Sequence, residues 1–217
     1  MKLANMHDSK SCAARLVGSI PTMPTMNKNI NKEILAYIIG VALGDGNLSN
    51  PNGRAIRLRI SCDTKYKRII KEIISSLEKI FPDNKVSIVK RTEHCIDISC
   101  YSNKLEDMLG WKVGYGSKEK QKVSIPKWIK RSKKYKISCL RGLFETDGSV
   151  YIDRKYLMAN FVTIIPTLAS DVLEIITDLG FRPNRQLFKA KNGKIKHTIR
   201  ISKNTTNFIR LINIRKD

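Results

Sequence analysis

Ile38-Ile39-Gly40-Val41-Ala42-Leu43-Gly44-Asp45-Gly46 and Leu140-Arg141-Gly142-Leu143-Phe144-Glu145-Thr146-Asp147-Gly148 are one pattern written twice in the same chain. Each is a mainly apolar, helix-like run with a central glycine that ends in Asp-Gly. An offset of 102 residues carries Asp45 to Asp147, Gly40 to Gly142 and Gly46 to Gly148. The same offset carries Ile60 to Val162, Ser61 to Thr163, Ile70 to Val172, Ile73 to Ile175, Ile74 to Ile176 and Leu77 to Leu179. A register held this far is an internal duplication. Its period is too long for a solenoid, so the chain reads as two similar half-domains.

The repeated helix has a small-residue face. Ala36, Gly40 and Gly44 are four apart, and the offset converts them to Ser138, Gly142 and Thr146. Small residues at this spacing share one side of a helix and let two backbones approach closely. Side-by-side packing brings the two C-terminal ends together and places Asp45 near Asp147. An acid at a helix C-terminus faces the negative end of the dipole, and two close carboxylates repel. A divalent cation removes both penalties. The carboxylates and the helix-end carbonyls of Gly44 and Thr146 are hard oxygen donors suited to Mg²⁺. Such an ion activates water and neutralises charge on a scissile phosphate. A single Asp-Gly would read as a C-cap turn; two in register point to a shared site.

Charge names the partner class. The 217 residues hold 41 Lys+Arg against 19 Asp+Glu, a net +22 spread along the whole chain. Such a long basic surface points to nucleic acid. Hydrophobic residues make up 41 %, enough for a packed core, which excludes a disordered basic tail. No basic amphipathic helix or membrane-length apolar run stands out, so no membrane partner is expected. Cys12, Cys62, Cys95, Cys100 and Cys139 form no metal-binding spacing and read as free thiols. They suit an intracellular, reducing compartment, a bacterial cytoplasm or an organelle.

Residues 1–27 lack periodicity and carry Pro21 and Pro24; they are expected to lie outside the fold as an extension. Gly18-Ser19-Ile20-Pro21 is what a transfer-RNA T-arm would encode, which suggests true initiation near Met26. From Asn31 onward the order is regular. Asn31 caps a helix containing Ile34, Leu35, Ile38, Ile39 and Ala42. Asn50-Pro51-Asn52-Gly53 is a turn, and Ala55 to Cys62 alternates as a strand. A helix to about Lys79, strands Val86–Arg91 and Cys95–Tyr101, and a short helix from Asn103 follow. The second half repeats this with a hairpin near Asp153–Lys155, helix Leu168–Leu179, strands Arg185–Lys191 and Ile195–Ser202, and a last helix from Asn204. The expected division is 28–109 and 137–217 for the halves, joined by a Lys- and Gly-rich linker at 110–136.

With these motifs the chain resembles the LAGLIDADG homing endonucleases, as a single-chain, two-repeat, monomeric member, from about Asn31 onward. In Leu140–Gly148, Arg141 and Thr146 stand in alanine positions and Glu145 in the first acid position; in Ile38–Gly46, Leu43 replaces that acid. The resemblance implies an α+β fold of two pseudo-symmetric αββαββα half-domains with saddle-shaped antiparallel sheets and the motif helices packed at the centre. It implies Mg²⁺-dependent hydrolysis of both strands of an asymmetric DNA site with short 3′ overhangs, by an intron-encoded type of enzyme. The metal ligands map to Asp45 and Asp147, and Mn²⁺ or Ca²⁺ could substitute in binding. Because Glu145 and Leu43 are not symmetric, Glu145 receives no catalytic role. The family often has a Gln or Lys after the second strand of each half; Cys62-Asp63 and Ile164-Ile165 stand there instead. Either the correspondence is off by a residue or two, or the auxiliary polar groups come from elsewhere, with linker lysines Lys118, Lys120 and Lys122 as candidates.

DNA reading falls to the sheet faces opposite the helices. Alternation nominates Arg54, Arg57, Arg59, Arg91, Arg154, Lys155, Arg185, Lys189, Lys196 and Arg200 as contacts. The alternatives to a double-strand nuclease are an intron RNA maturase and a non-cleaving DNA-binding protein on the same fold.

Overall fold

Asn31 opens the first motif helix. Its side chain accepts from the backbone N–H groups of Glu33 and Ile34 at 2.9 and 3.4 Å, the expected N-cap arrangement. The helix, α1, runs Lys32–Asp45. Leu35 to Leu43 are buried without interruption. A helix apolar on every side belongs at the centre of a fold, and α1 lies there. The structure, a computed structural model, describes residues 30–216; the expected extension and the start at Met26 lie outside them.

The first half continues with β1 (Gly46–Ser49), β2 (Arg57–Asp63), α2 (Lys67–Ile80), β3 (Ser87–Thr92), β4 (Cys95–Tyr101) and α3 (Leu105–Leu109). A short α4 (Lys127–Lys130) precedes the second half: α5 (Lys133–Thr146), β5 (Gly148–Asp153), β6 (Tyr156–Thr163), α6 (Pro166–Asp178), β7 (Asn184–Lys189), β8 (Ile195–Ile201) and α7 (Thr205–Ile212). The two antiparallel sheets have the same order, β1-β2-β4-β3 and β5-β6-β8-β7. Each half is thus αββαββα, as expected.

The linker departs from expectation. Residues 110–136 are not a plain basic connection: α5 begins at Lys133, inside the stretch assigned to it, and α4 lies before it. Trp111, Val123, Ile125 and Ile129 of this stretch are buried in the common core. Asp171 of α6 pins the segment, accepting from Ile125 N at 2.7 Å and pairing with Lys130. Thr167 adds a bond to the Val123 carbonyl at 2.7 Å. Surface lysines hide this apolar anchor in the composition.

Strand alternation decides which side chains face away from the helices. In β2, Leu58 and Ile60 are buried against the helices, so Arg57, Arg59 and Ser61 take the open face. In β8, Ile199 and Ile201 are buried, and Lys196, Thr198 and Arg200 take it.

Candidate metal centre and its two clefts

The motif helices cross at Gly40 and Gly142. A Cβ on Gly40 would run into the Cys139 carbonyl, and one on Gly142 into the Tyr37 carbonyl. One turn further on, Gly44 abuts the Thr146 side chain, and a Cβ there would stand 3.2 Å from Asp147 Oδ2. Two of the three expected pairs of small residues, Gly40 with Gly142 and Gly44 with Thr146, thus form the helix seam, and the C-terminal ends converge. The charge of Asp45 reaches Asp147 and adds to the rise of its pKa.

Burial pushes the Asp147 carboxyl up to about 6, with the charge of Asp45 the next cause. Burial raises Asp45 as well, while the ammonium groups of Lys118 and Lys216 oppose the rise. Each aspartate opens onto its own cleft. Asp45 shares one of about 150 Å³ with Ser61, Cys62, Asp63 and Lys216. Asp147 shares one of about 370 Å³ with Gly44, Lys118, Val162, Thr163 and Lys196.

Two lysines close the helix ends. Lys118 Nζ donates to the carbonyls of Ala42, Leu43 and Gly44 at 3.1, 2.7 and 2.5 Å. Lys216 Nζ donates to the carbonyls of Thr146 and Gly148 at 3.0 and 2.6 Å. Carbonyl oxygens at a helix C-terminus attract cations, and here an ammonium reaches each end. Burial lowers Lys118 to about 8 and also lowers Lys216, with both aspartates opposing the shift.

Lys216 is delivered by the segment after α7. Arg215 N donates to Glu145 Oε1 at 3.1 Å, and Arg215 pairs with Glu72 of α2 at 2.5 Å. Glu72 also holds Arg141 at 3.1 Å, and Tyr37 donates to Glu145 Oε2 at 2.7 Å. Glu145 is buried in this network between the halves. Its pKa is raised by burial, against the pull of Tyr37 and the arginines.

The donor set fits a hard divalent cation. All candidate ligands are oxygens: two carboxylates and the carbonyls of Gly44 and Thr146. Both carbonyls already accept from cationic groups, the Lys118 and Lys216 ammoniums. Among the described residues no cluster of three or more His, Cys, Asp or Glu is present. Remaining ligand positions would fall to water and phosphate oxygens, as Mg²⁺ prefers.

The other nominated residues divide. Lys120 is exposed and lines neither cleft, and Lys122 lies in a left-handed turn, φ 49°. Arg54 is in the exposed turn before β2, while Arg154 and Lys155 form the β5–β6 turn with φ 47° and 72°. Arg57, Arg59, Arg91, Lys196 and Arg200 lie on the open faces. Arg185 does not: its guanidinium reaches back to His197 Nδ1 and to Ser170 of α6 at 3.1 Å. Lys189, on the same alternation as Arg185, also belongs to the helix side of β7. Register explains both errors, because a slip of one residue moves a side chain to the other face.

Residues 134–213 match the LAGLIDADG-like domain. The described fold is similar to a structure of mesophilic variants of the homing endonuclease I-DmoI, with TM-score 0.60 and 20 % identity over 83 % of this chain and 95 % of that one. This is a two-repeat LAGLIDADG-fold protein. The fold is also similar to I-DmoI in complex with DNA and Mn, at TM-score 0.60 and 18 % identity over 86 % and 97 % of the two chains. The N-terminal LAGLIDADG domain of DUF199/WhiA is similar too, at 0.57 and 15 % over 88 % of each. At these identities the likeness establishes the LAGLIDADG fold and no activity. A curated relative, the replication factor C small subunit of Methanocaldococcus jannaschii, is 31 % identical over 135 residues, 57 % of this chain. This chain spans only 7 % of that relative's length.

Proposed function

We propose that this protein is a divalent-metal-dependent endonuclease that cuts both strands of a long, asymmetric DNA site and acts as a monomer. The supporting observation is the pair of aspartates at the converging helix ends, each opening onto its own cleft with a lysine. A fold used only for binding has no need to hold two buried carboxylates against each other. The +22 charge and the arginine-bearing open face supply the DNA affinity.

Asp45, Asp147 and the carbonyls of Gly44 and Thr146 would hold the cation. When bound, it would supply an activated water and charge neutralisation at the phosphate. Asp45 and Asp147 fix the centre between the two strands. Lys118 and Lys216 are cationic donors in the clefts, placed to stabilise charge developing on a phosphate or leaving oxygen. Thr146 Oγ1 is held by the Gly142 and Leu143 carbonyls at 3.1 and 3.0 Å, so it stiffens the helix end without competing for a ligand. Mg²⁺ is the proposed metal. The free thiols support an intracellular, reducing location; desolvation lifts the half-buried Cys62 to about 12 and the buried Cys100 to about 11, which keeps them unreactive.

The test is Asp45→Asn and Asp147→Asn, assayed side by side for binding and cutting. Loss of cutting with retained binding supports the reading. Unchanged cutting by either variant contradicts it.

A further inference from the structure

The two open faces differ in chemistry, and the difference bears on what DNA each half reads. This inference rests on the DNA-binding reading above.

On the first sheet the open face is guanidinium-rich, with the exposed Val89 opposite Asp97. Asp97 is buried at its centre and holds Arg91 at 3.1 Å and Arg59 at 3.9 Å. Ser49 holds Arg57 Nε at 3.1 Å. These arginines are fixed in place with their side chains still partly exposed, Arg59 by 30 % and Arg91 by 54 %. Pre-oriented guanidiniums suit the paired acceptors O6 and N7 of guanine.

On the second sheet the same face is aromatic. Gly148, Val150 and Ile152 pair with the helix-side residues of β6, so Tyr151 takes the open face. Tyr156 opens β6 on that face, and Phe188 sits opposite Lys196. Tyr156 is 67 % exposed and Phe188 53 %. Tyr151 is fixed by Asn160, whose amide donates to its hydroxyl at 2.9 Å. The arginine here, Arg200, is turned into a pair with Asp153 at 2.7 Å. Exposed rings in a basic protein call for a partner. Lys196, the cross-strand neighbour of Phe188, lines the cleft of Asp147. The aromatic strip therefore starts where a phosphate backbone would pass, which favours DNA over a protein as its partner. Apolar side chains in a major groove meet the thymine methyl, and Gln186, beside Phe188, can pair with adenine.

We propose that the two halves read opposite base compositions: the first sheet takes a guanine-bearing half-site, and the second takes a thymine-rich half-site by apolar contact with methyl groups. The target is thus asymmetric in kind, not only in sequence.

The experiment is selection of bound duplexes from a random DNA library with Ca²⁺ present, followed by affinity measurement with uracil in place of thymine in one half-site at a time. The halves are assigned with Arg59→Gln and Phe188→Ser, each of which should relax preference in its own half only. Uracil in the half assigned to the second sheet should weaken binding about fourfold per contacted methyl; uracil in the other half should change it less than twofold. Halves of like composition, or equal sensitivity to uracil, would overturn the proposal and leave the DNA-binding reading standing. Unchanged DNA affinity in Phe188→Ser would also overturn it and assign the rings to a protein partner. Failure to enrich any duplex would overturn both.

Discussion

Gly40 and Gly142 hold the motif helices at backbone contact, each lying where the other helix leaves no room for a Cβ: Gly40 against the Cys139 carbonyl and Gly142 against that of Tyr37. This contact sets the spacing of Asp45 and Asp147 one turn later. Because the obstructing atoms are backbone, they cannot rotate away. Gly142→Val should cost at least about 2 kcal/mol, in the upper half of the usual overpacking range or beyond it. Urea denaturation measures it. A loss below a few tenths would mean that the helices separate freely.

Burying Asp147, and holding a second acid beside it, costs stability in the metal-free protein. Asp147 titrates near 6, above its ordinary value of 3.8. A carboxyl with a raised folded pKa contributes stability below its unfolded pKa, and that contribution is lost as pH rises through about 6. Asp147→Asn should therefore raise the metal-free stability at pH 7–8 by on the order of 1–3 kcal/mol, while abolishing cutting. Thermal unfolding in EDTA checks the sign. The gain should shrink toward pH 4.

The same protonation opposes metal. Ligand carboxylates must be ionised, so affinity for Mn²⁺ or Ca²⁺ should fall as pH drops below about 6, and protons should be released on binding near that pH. Calorimetry in two buffers of different ionisation enthalpy reads the released protons directly. A pH-independent affinity would contradict the assignment of Asp147 as a ligand.

Much of this was legible in the sequence. The duplication, the helix seam and the convergence of the aspartates all follow from small residues at one spacing in two copies. Strand β1 was not legible, because Gly46–Ser49 is too short to show alternation. The packed linker was hidden, since Val123, Ile125 and Ile129 are scattered among lysines. Arg185 and Lys189 were placed on the wrong face because strand period fixes alternation but not phase. Lys216 could not be found from its neighbours in sequence. Its position depends on Glu72, 143 residues before Arg215 in the chain; the one available signal was that it follows α7 as Lys118 follows α3.

Lys118 and Lys216 occupy different clefts, so their loss should separate the strands. Lys118→Met should slow cleavage on the order of 100-fold, mainly of one strand, and Lys216→Met mainly of the other. Nicked intermediates on a strand-labelled duplex would show opposite polarity in the two variants. Equal slowing of both strands by each lysine would contradict independent clefts.

The buried link between halves should matter to stability and to Lys216 together. Tyr37→Phe removes a donor from Glu145 and should cost about 1–3 kcal/mol. Glu72→Ala frees Arg215 and should lower kcat with little effect on DNA affinity. Comparison of kcat with Kd separates positioning from folding.

The central claim is tested most directly by incubating a binding-selected duplex with the protein and Mg²⁺ and sequencing both ends of every product. The account predicts discrete double-strand breaks with short 3′ overhangs from the unaltered protein, and none from Asp45→Asn at equal occupancy. Bound duplex that stays intact in Mg²⁺ and in Mn²⁺ would contradict it and leave a DNA-binding protein that does not cut.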